Sequence, residues 1–182
     1  QSSPRSSTLR DFHFDDGRWH AVGEEGEFEI RYSVEADRML APYLNERLLR
    51  LEERRSKFND LQRYTLLFYH AFVVLEATNG LSFCVEKYND KLELLMGPTE
   101  ALREFAVRHR VTGDKRRGSL VHEELIIEEK VTLGEFANWI SGPLAVVWRP
   151  YCLVTSNCQH FARDLRAFVQ DPREGQKLRS DR

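Results

Sequence analysis

Residues 64–97, YTLLFYHAFVVLEATNGLSFCVEKYNDKLELLMG, constrain the fold more than any other part of the chain. The run is crowded with aromatic and β-branched residues, which suit a pleated, half-buried surface. Asn79-Gly80 in its middle is a two-residue hairpin signal, because both residues tolerate the positive φ of a type I′ turn. KLELLMG supplies a third strand. A meander is therefore expected at the centre of the chain.

The flanks add helices. From Ala36 to Phe58 the apolar residues Met39, Leu40, Tyr43, Leu44, Leu48, Leu49 and Leu51 recur at three- and four-residue spacing, which predicts a helix with Pro42 in or just before its first turn. Glu–Arg pairs in NERLLRLEERR fit a solvated face of that helix. FEIRYSVE (28–35) alternates like a short strand. PTEALREFAVRHR (98–110) reads as a helix, VTGDKRRGSL as a basic loop, and VHEELIIEEKVT (121–132) as a strand. Thr132-x-x-Glu135 is a capping box for a helix that Gly142-Pro143 ends. LAVVWRPYCLV (144–154) reads as a partly extended connection in which Trp148, Arg149, Pro150 and Tyr151 could line a cleft or pack in the core. Helical material, a meander and a final helix make an α+β class, not a repeating βαβ one.

The 182 residues suffice for one domain with a real core, expected over 11–170 between Ser-, Arg- and Pro-rich tails at 1–10 and 171–182. A net charge of -2 argues against general nucleic-acid binding. No apolar run approaches the roughly 18–20 residues of a membrane span, and QSSPRSSTLR lacks the apolar core of a signal peptide. The chain opens without Met, as a fragment or processed form would. Three cysteines, Cys84, Cys152 and Cys158, without paired spacing fit a reducing compartment, so a cytoplasmic location is expected. Cys84 and Cys152 read as structural thiols. There is no C-x-x-C, phosphate-binding Gly loop, dinucleotide fingerprint or H-E-x-x-H. No metal or cofactor is expected.

TSNCQHFARDL (155–165) carries the chemistry. Ser156-x-x-Gln159 reads as a second capping box, with Phe161, Ala162, Leu165, Phe168 and Val169 on one apolar helix face. Gln159, Arg163, Arg166 and Gln170 fall on the other. Cys158 then sits in the first helical turn, where unpaired N–H groups and the positive end of the helix dipole favour a thiolate. Those N–H groups could also receive an oxyanion, with Asn157 and Gln159 as supports. Position three before Phe161 aims the sulfur at whatever the helix packs against. A thiolate nucleophile needs a base. His160 lies too far around the helix to face Cys158. His13 and His20 lie near the N-terminal tail, His109 in a basic stretch, and His122 in a polar strand. His70, inside an apolar strand, needs a partner to offset its desolvation and is the candidate base; a satisfied core His is the plain alternative.

YHAFVVLEATNGLSFCVEKY followed much later by SNCQHFARDL resembles the permuted papain-fold cysteine enzymes, a group that includes the PPPDE-type peptidases and the lecithin–retinol acyltransferase-like proteins. In them a His opens a strand before an apolar hairpin, and an NC-x-x-F-like motif starts a helix. The matching positions here are His70 and Asn157 to Phe161. The resemblance covers residues 64–90 and 148–170. It implies a circularly permuted papain-like fold and a Cys158–His70 dyad acting on an amide or isopeptide. A protein or peptide substrate, including a ubiquitin-like conjugate, would be the partner. The acyltransferase-like members carry a further His on the next strand, where this chain has Ser82. A non-catalytic binding module that kept the fold is the alternative of another class. A third, orienting group depends on the hairpin register. A two-residue loop sets Asn89 opposite His70; a three-residue loop sets Tyr88 there and brings Glu86 to the His70 face. A one-residue slip exchanges the two.

Overall fold

The computed structural model describes residues 10–15, 18–25, 28–32, 40–57, 69–88, 91–107, 120–128, 130–144 and 157–173. Eight strands form one antiparallel sheet: β1 (Arg10–Asp15), β2 (Arg18–Glu25), β3 (Phe28–Tyr32), β4 (Leu48–Lys57), β5 (Tyr69–Ala77), β6 (Leu81–Lys87), β7 (Leu92–Pro98) and β8 (Leu120–Ile126). Their order across the sheet is β3-β2-β1-β7-β6-β5-β4-β8. The helices are α1 (Thr99–Val107), α2 (Leu133–Trp139) and α3 (Cys158–Gln170). The class is α+β, with an antiparallel sheet and a C-terminal helix, as expected. No helix among the described residues is long and apolar enough to cross a membrane.

The sheet buries both faces unequally. Ala71, Val73 and Leu75 of β5 and Phe83 and Val85 of β6 join Phe161, Leu165 and Phe168 of α3 and Phe136 and Trp139 of α2 in the main core. Trp139 stacks on Phe168 with ring centroids 4.7 Å apart. Burying each such large side chain is worth roughly 1.5–3 kcal/mol. On the opposite face Phe72, Val74, Cys84 and Leu95 pack beneath Leu102 and Ala106 of α1. Cys84 is thus a core thiol, as its strand position suggests.

The helix expected over 36–58 is not found among the described residues 40–57. Leu48–Lys57 is strand β4, paired with both β5 and β8, and only Ala41–Tyr43, which includes Pro42, makes a short 3-10 turn. The cause is a register irregularity between Leu48 and Arg50. The extra residue there, Leu49, is pushed outward, and Leu48 and Leu51 both reach the core. A bulge thus reproduces a helix-like spacing of three. The charges pair at strand period instead of helix period: Arg54 Nη1 to Glu52 Oε2 at 3.0 Å and Arg55 Nε to Glu53 Oε1 at 2.9 Å.

The hairpin loop also differs from the two-residue expectation. Thr78–Gly80 forms a three-residue turn, with Asn79 at φ 61 and Gly80 at φ 69. The loop is tied down from outside. Thr78 N–H donates to Arg47 O at 2.9 Å, Arg47 N–H to Thr78 Oγ1 at 3.1 Å, and the Asn79 amide to Glu46 Oε1 at 2.8 Å. These ties select the register Val73↔Val85 and Leu75↔Phe83. Three smaller corrections follow. Arg10 belongs to β1 and not to a tail. The Thr132–Glu135 capping box is present, but the chain runs on through a π-helical turn at Ile140–Leu144, which contains Gly142-Pro143. The cap of α3 is Asn157, not Ser156.

Candidate active site

The site lies where β5 and β6 part. Their described pairs run from Glu76↔Ser82 to Val73↔Val85, while β6 continues to Lys87 and β5 begins at Tyr69. In the resulting fork the backbone N–H of Ala71 donates to Cys158 Sγ at 3.4 Å. A sulfur of the first turn of α3 thus takes a donor that a continuous ladder would have given to a carbonyl. The sulfur lies 3.9 Å from Tyr69 O, and Gln159 Nε2 donates to the same carbonyl at 3.3 Å. Gln159 therefore straps the start of α3 to the start of β5.

Asn157 fixes the helix start. Its Oδ1 accepts from the N–H groups of Gln159 at 2.9 Å and His160 at 3.0 Å, and its carbonyl accepts from Phe161 N–H at 3.1 Å. His160 closes the cap, with Nδ1 2.7 Å from Asn157 Oδ1. This explains why His160, beside the cysteine in sequence, is committed to the cap. It also corrects the expected oxyanion donors: the Gln159 and His160 amides are spent on Asn157. Asn157 and Gln159 are supports of the helix start.

His70 meets Cys158 from β5. Its ring hydrogen-bonds the Cys158 side chain, and its Nε2 lies 3.3 Å from Glu86 Oε2. Tyr88 Oη donates to the same carboxylate oxygen. Phe72 and Tyr88 flank the imidazole, with centroids 6.2 and 6.0 Å away. Burial alone would push the His70 ring down; the hydrogen bonds to Cys158 and Glu86 and their negative charges outweigh it and hold its pKa up at about 10. Tyr88 is pushed far above the ordinary phenol range by burial and by the charges of Glu86 and Glu93, so it remains a donor. The orienting group beside His70 is thus Glu86, the partner the three-residue loop selects. Asn89 lies outside the described residues, as do Cys152 and residues 145–151.

Two features were not anticipated. Lys87 ends β6 on the α3 side and is buried; desolvation lowers its pKa, opposed by the charges of Asp164 and Cys158. It places a cation near the sulfur. Ser56, directly across from His70 on β4, is buried, and its hydroxyl has no hydrogen-bond partner among the described residues. Lys87 carries a readable signal: it shares strand parity with Val85 and Phe83, so a charge there points at the helix. Ser56 carried none, because its strand was read as a helix.

Cys158 is 1% exposed, His70 5% and Glu86 4%. The arrangement is a buried thiol–imidazole–carboxylate line, with a helix N-terminus, a backbone amide and Lys87 around the sulfur. Such surroundings favour the thiolate–imidazolium form. Comparison with protein-family models, curated proteins and solved structures finds no match to this chain.

Proposed function

We propose that the chain is a thiol hydrolase of the permuted papain-like kind, acting on an amide or isopeptide bond of a protein or peptide. The observation that carries this reading is the convergence of Cys158, His70 and Glu86 at the fork of β5 and β6. With Nε2 held by Glu86, Nδ1 of His70 is the nitrogen that exchanges a proton with Cys158. The sulfur attacks the carbonyl carbon, forming a C–S bond. The oxyanion is met by the Cys158 amide and the positive surroundings to which Lys87 contributes. His70 then protonates the departing nitrogen as the C–N bond breaks. Water, activated by the now neutral His70, cleaves the thioester and restores the thiol. Glu86 orients the ring and stabilises the imidazolium, and Tyr88 fixes Glu86.

An acyltransferase would use the same thioester. Ser82, where those relatives carry a further His, is buried at the far end of β6 with its hydroxyl 2.8 Å from Thr99 Oγ1, away from the sulfur, which favours hydrolysis. The burial of Cys158 favours a second reading, a binding module in which the thiol only packs. Electrophilic probes separate them: ubiquitin-like, short-peptide and ester probes are incubated with native protein and the adducts mapped by mass spectrometry. The hydrolase reading expects an adduct on Cys158 that His70→Ala abolishes. Labelling of Cys158 only after unfolding contradicts it.

A further inference from the structure

Glu86 is held at both of its oxygens. Oε2 engages His70 and Tyr88, while Oε1 lies 3.9 Å from the sulfur of Cys84, whose S–H donates to it. Cys84 and Glu86 are two residues apart on β6, and Tyr88 follows at the same spacing just past its end, so the three side chains share one face. Cys84 is 2% exposed and packs there with Phe72, Val74 and Leu102. Glu93 of β7 stands directly opposite Glu86 and is drawn to Lys91 at 2.9 Å. Like charges so placed repel each other. The terminal torsion of a Glu side chain is broad, so donors at Oε2 alone would let the carboxylate turn about that oxygen and tilt away from His70. A donor at Oε1 removes that freedom.

We infer that Cys84 is a positioning residue for the thiol chemistry: its S–H fixes the Glu86 carboxylate that orients His70. This rests on the hydrolase reading and deepens it. The chain of action runs from Cys84 to Glu86 Oε1, from Glu86 Oε2 to His70 Nε2, and from the His70 ring to Cys158. A thiol is a weak donor, so the contribution of Cys84 is one of geometry rather than charge. Charge-assisted hydrogen bonds are the strong ones, and they weaken as their alignment is lost. A carboxylate turned out of line therefore holds the imidazolium less well, and the thiolate–imidazolium pair loses part of its stabilisation. Cys84 touches neither substrate nor reacting atoms; it acts through two side chains. The run Cys84, Glu86, Tyr88 thus places a thiol and a phenol on either side of one carboxylate, each fixing it from the same strand.

The test is the pH profile of iodoacetamide alkylation at Cys158 in the full chain, read site by site by mass spectrometry. Cys84→Val keeps the bulk and removes the donor. Its profile should move up by about half a pH unit or more, roughly a threefold weakening of the hold on the thiolate form. Cys84→Ser, which restores a donor, should bring the profile back towards wild type. Val74→Ala opens a cavity directly opposite Cys84 in the same core. It should lower the melting temperature and leave the profile in place, which separates positioning from packing. A second readout needs no reactivity. The chain has three cysteines, so with Cys152→Ser and Cys158→Ser only Cys84 remains. Its infrared S–H stretch should lie below that of a thiol in hydrocarbon and rise towards it when Glu86→Gln is added, because the acceptor is then neutral. An S–H stretch at the hydrocarbon value, or a Cys84→Val profile that matches a low wild-type one, overturns the role of Cys84 and leaves the hydrolase reading standing. A wild-type profile that rises only through about pH 8.5 overturns both.

Discussion

The two ends of the β5–β6 hairpin are built from the same kind of sequence and behave differently. At the closed end, from Val73↔Val85 to Glu76↔Ser82, the ladder is continuous and buries Leu75 and Phe83 completely. At the open end Tyr69–Ala71 and Glu86–Tyr88 carry the polar groups, and a backbone donor turns to a sulfur. The closed end supplies stability. The open end collects four ionisable groups, Cys158, His70, Glu86 and Lys87, each under a tenth exposed, whose burial is tolerable only because charge and hydrogen bonding offset their desolvation. The comparison separates what holds the fold from what the fold holds.

The largest expected effect is at the open end. His70→Ala should lower the reactivity of Cys158 towards a small electrophile near neutral pH by about 10²–10⁴-fold, the usual contribution of a positioned acid–base group. Site-resolved alkylation rates check this, and unfolding midpoints verify that the variant is folded. At the closed end Phe83→Ala should cost about 3–5 kcal/mol in urea unfolding while leaving the pH profile of alkylation in the surviving folded fraction unchanged. If it shifts that profile, the two ends are not separate.

The pH dependence of stability sharpens the contrast further. The folded-state pKa of His70 is raised, so its contribution is fully present below its ordinary value near 6.5 and is lost as pH rises through about 10. Below the ordinary thiol value of about 8.5 the proton His70 takes up on folding is offset by the one the Cys158 thiolate gives up, so melting temperature should hold from pH ~7 to ~8.5 and decline from there to ~10, and Glu86→Gln should flatten that decline by weakening the hold on the imidazolium. An unchanged slope in Glu86→Gln would remove Glu86 from the line. The smallest effect is expected from Ser56→Ala. Its hydroxyl is buried without a partner among the described residues, so removal should be neutral or stabilise by up to about 1 kcal/mol, read by urea unfolding. A clear loss would mean that the hydroxyl serves the open end.

What was legible in the chain depended on how far its signal reached. The α3 face, from Phe161 to Val169, repeats at 3.6 residues and is buried as read. The position of Cys158 in the first turn and the partnership with His70 followed from local caps and desolvation. The cap moved by one residue because Asn157 offers both its Oδ1 and a partner at His160. β4 misled because the bulge at Leu49 imitates helical spacing, and propensity yielded to two partner strands. The choice of Glu86 over Asn89 was open in the sequence, since Glu46 and Arg47 fix the loop from thirty residues away or more. The pairing of β1 with β7 was invisible for the same reason: it is decided by the whole sheet.

The central claim is that the open fork keeps Cys158 as a thiolate paired with the His70 imidazolium. Its most direct test is the pH profile of iodoacetamide alkylation at Cys158 in native protein, followed residue by residue by mass spectrometry to separate it from Cys84 and Cys152. An ion pair predicts a rate that has reached its plateau at or below about pH 7, as for other activated thiols. A rate that rises only through about pH 8.5, where an ordinary thiol titrates, would contradict it.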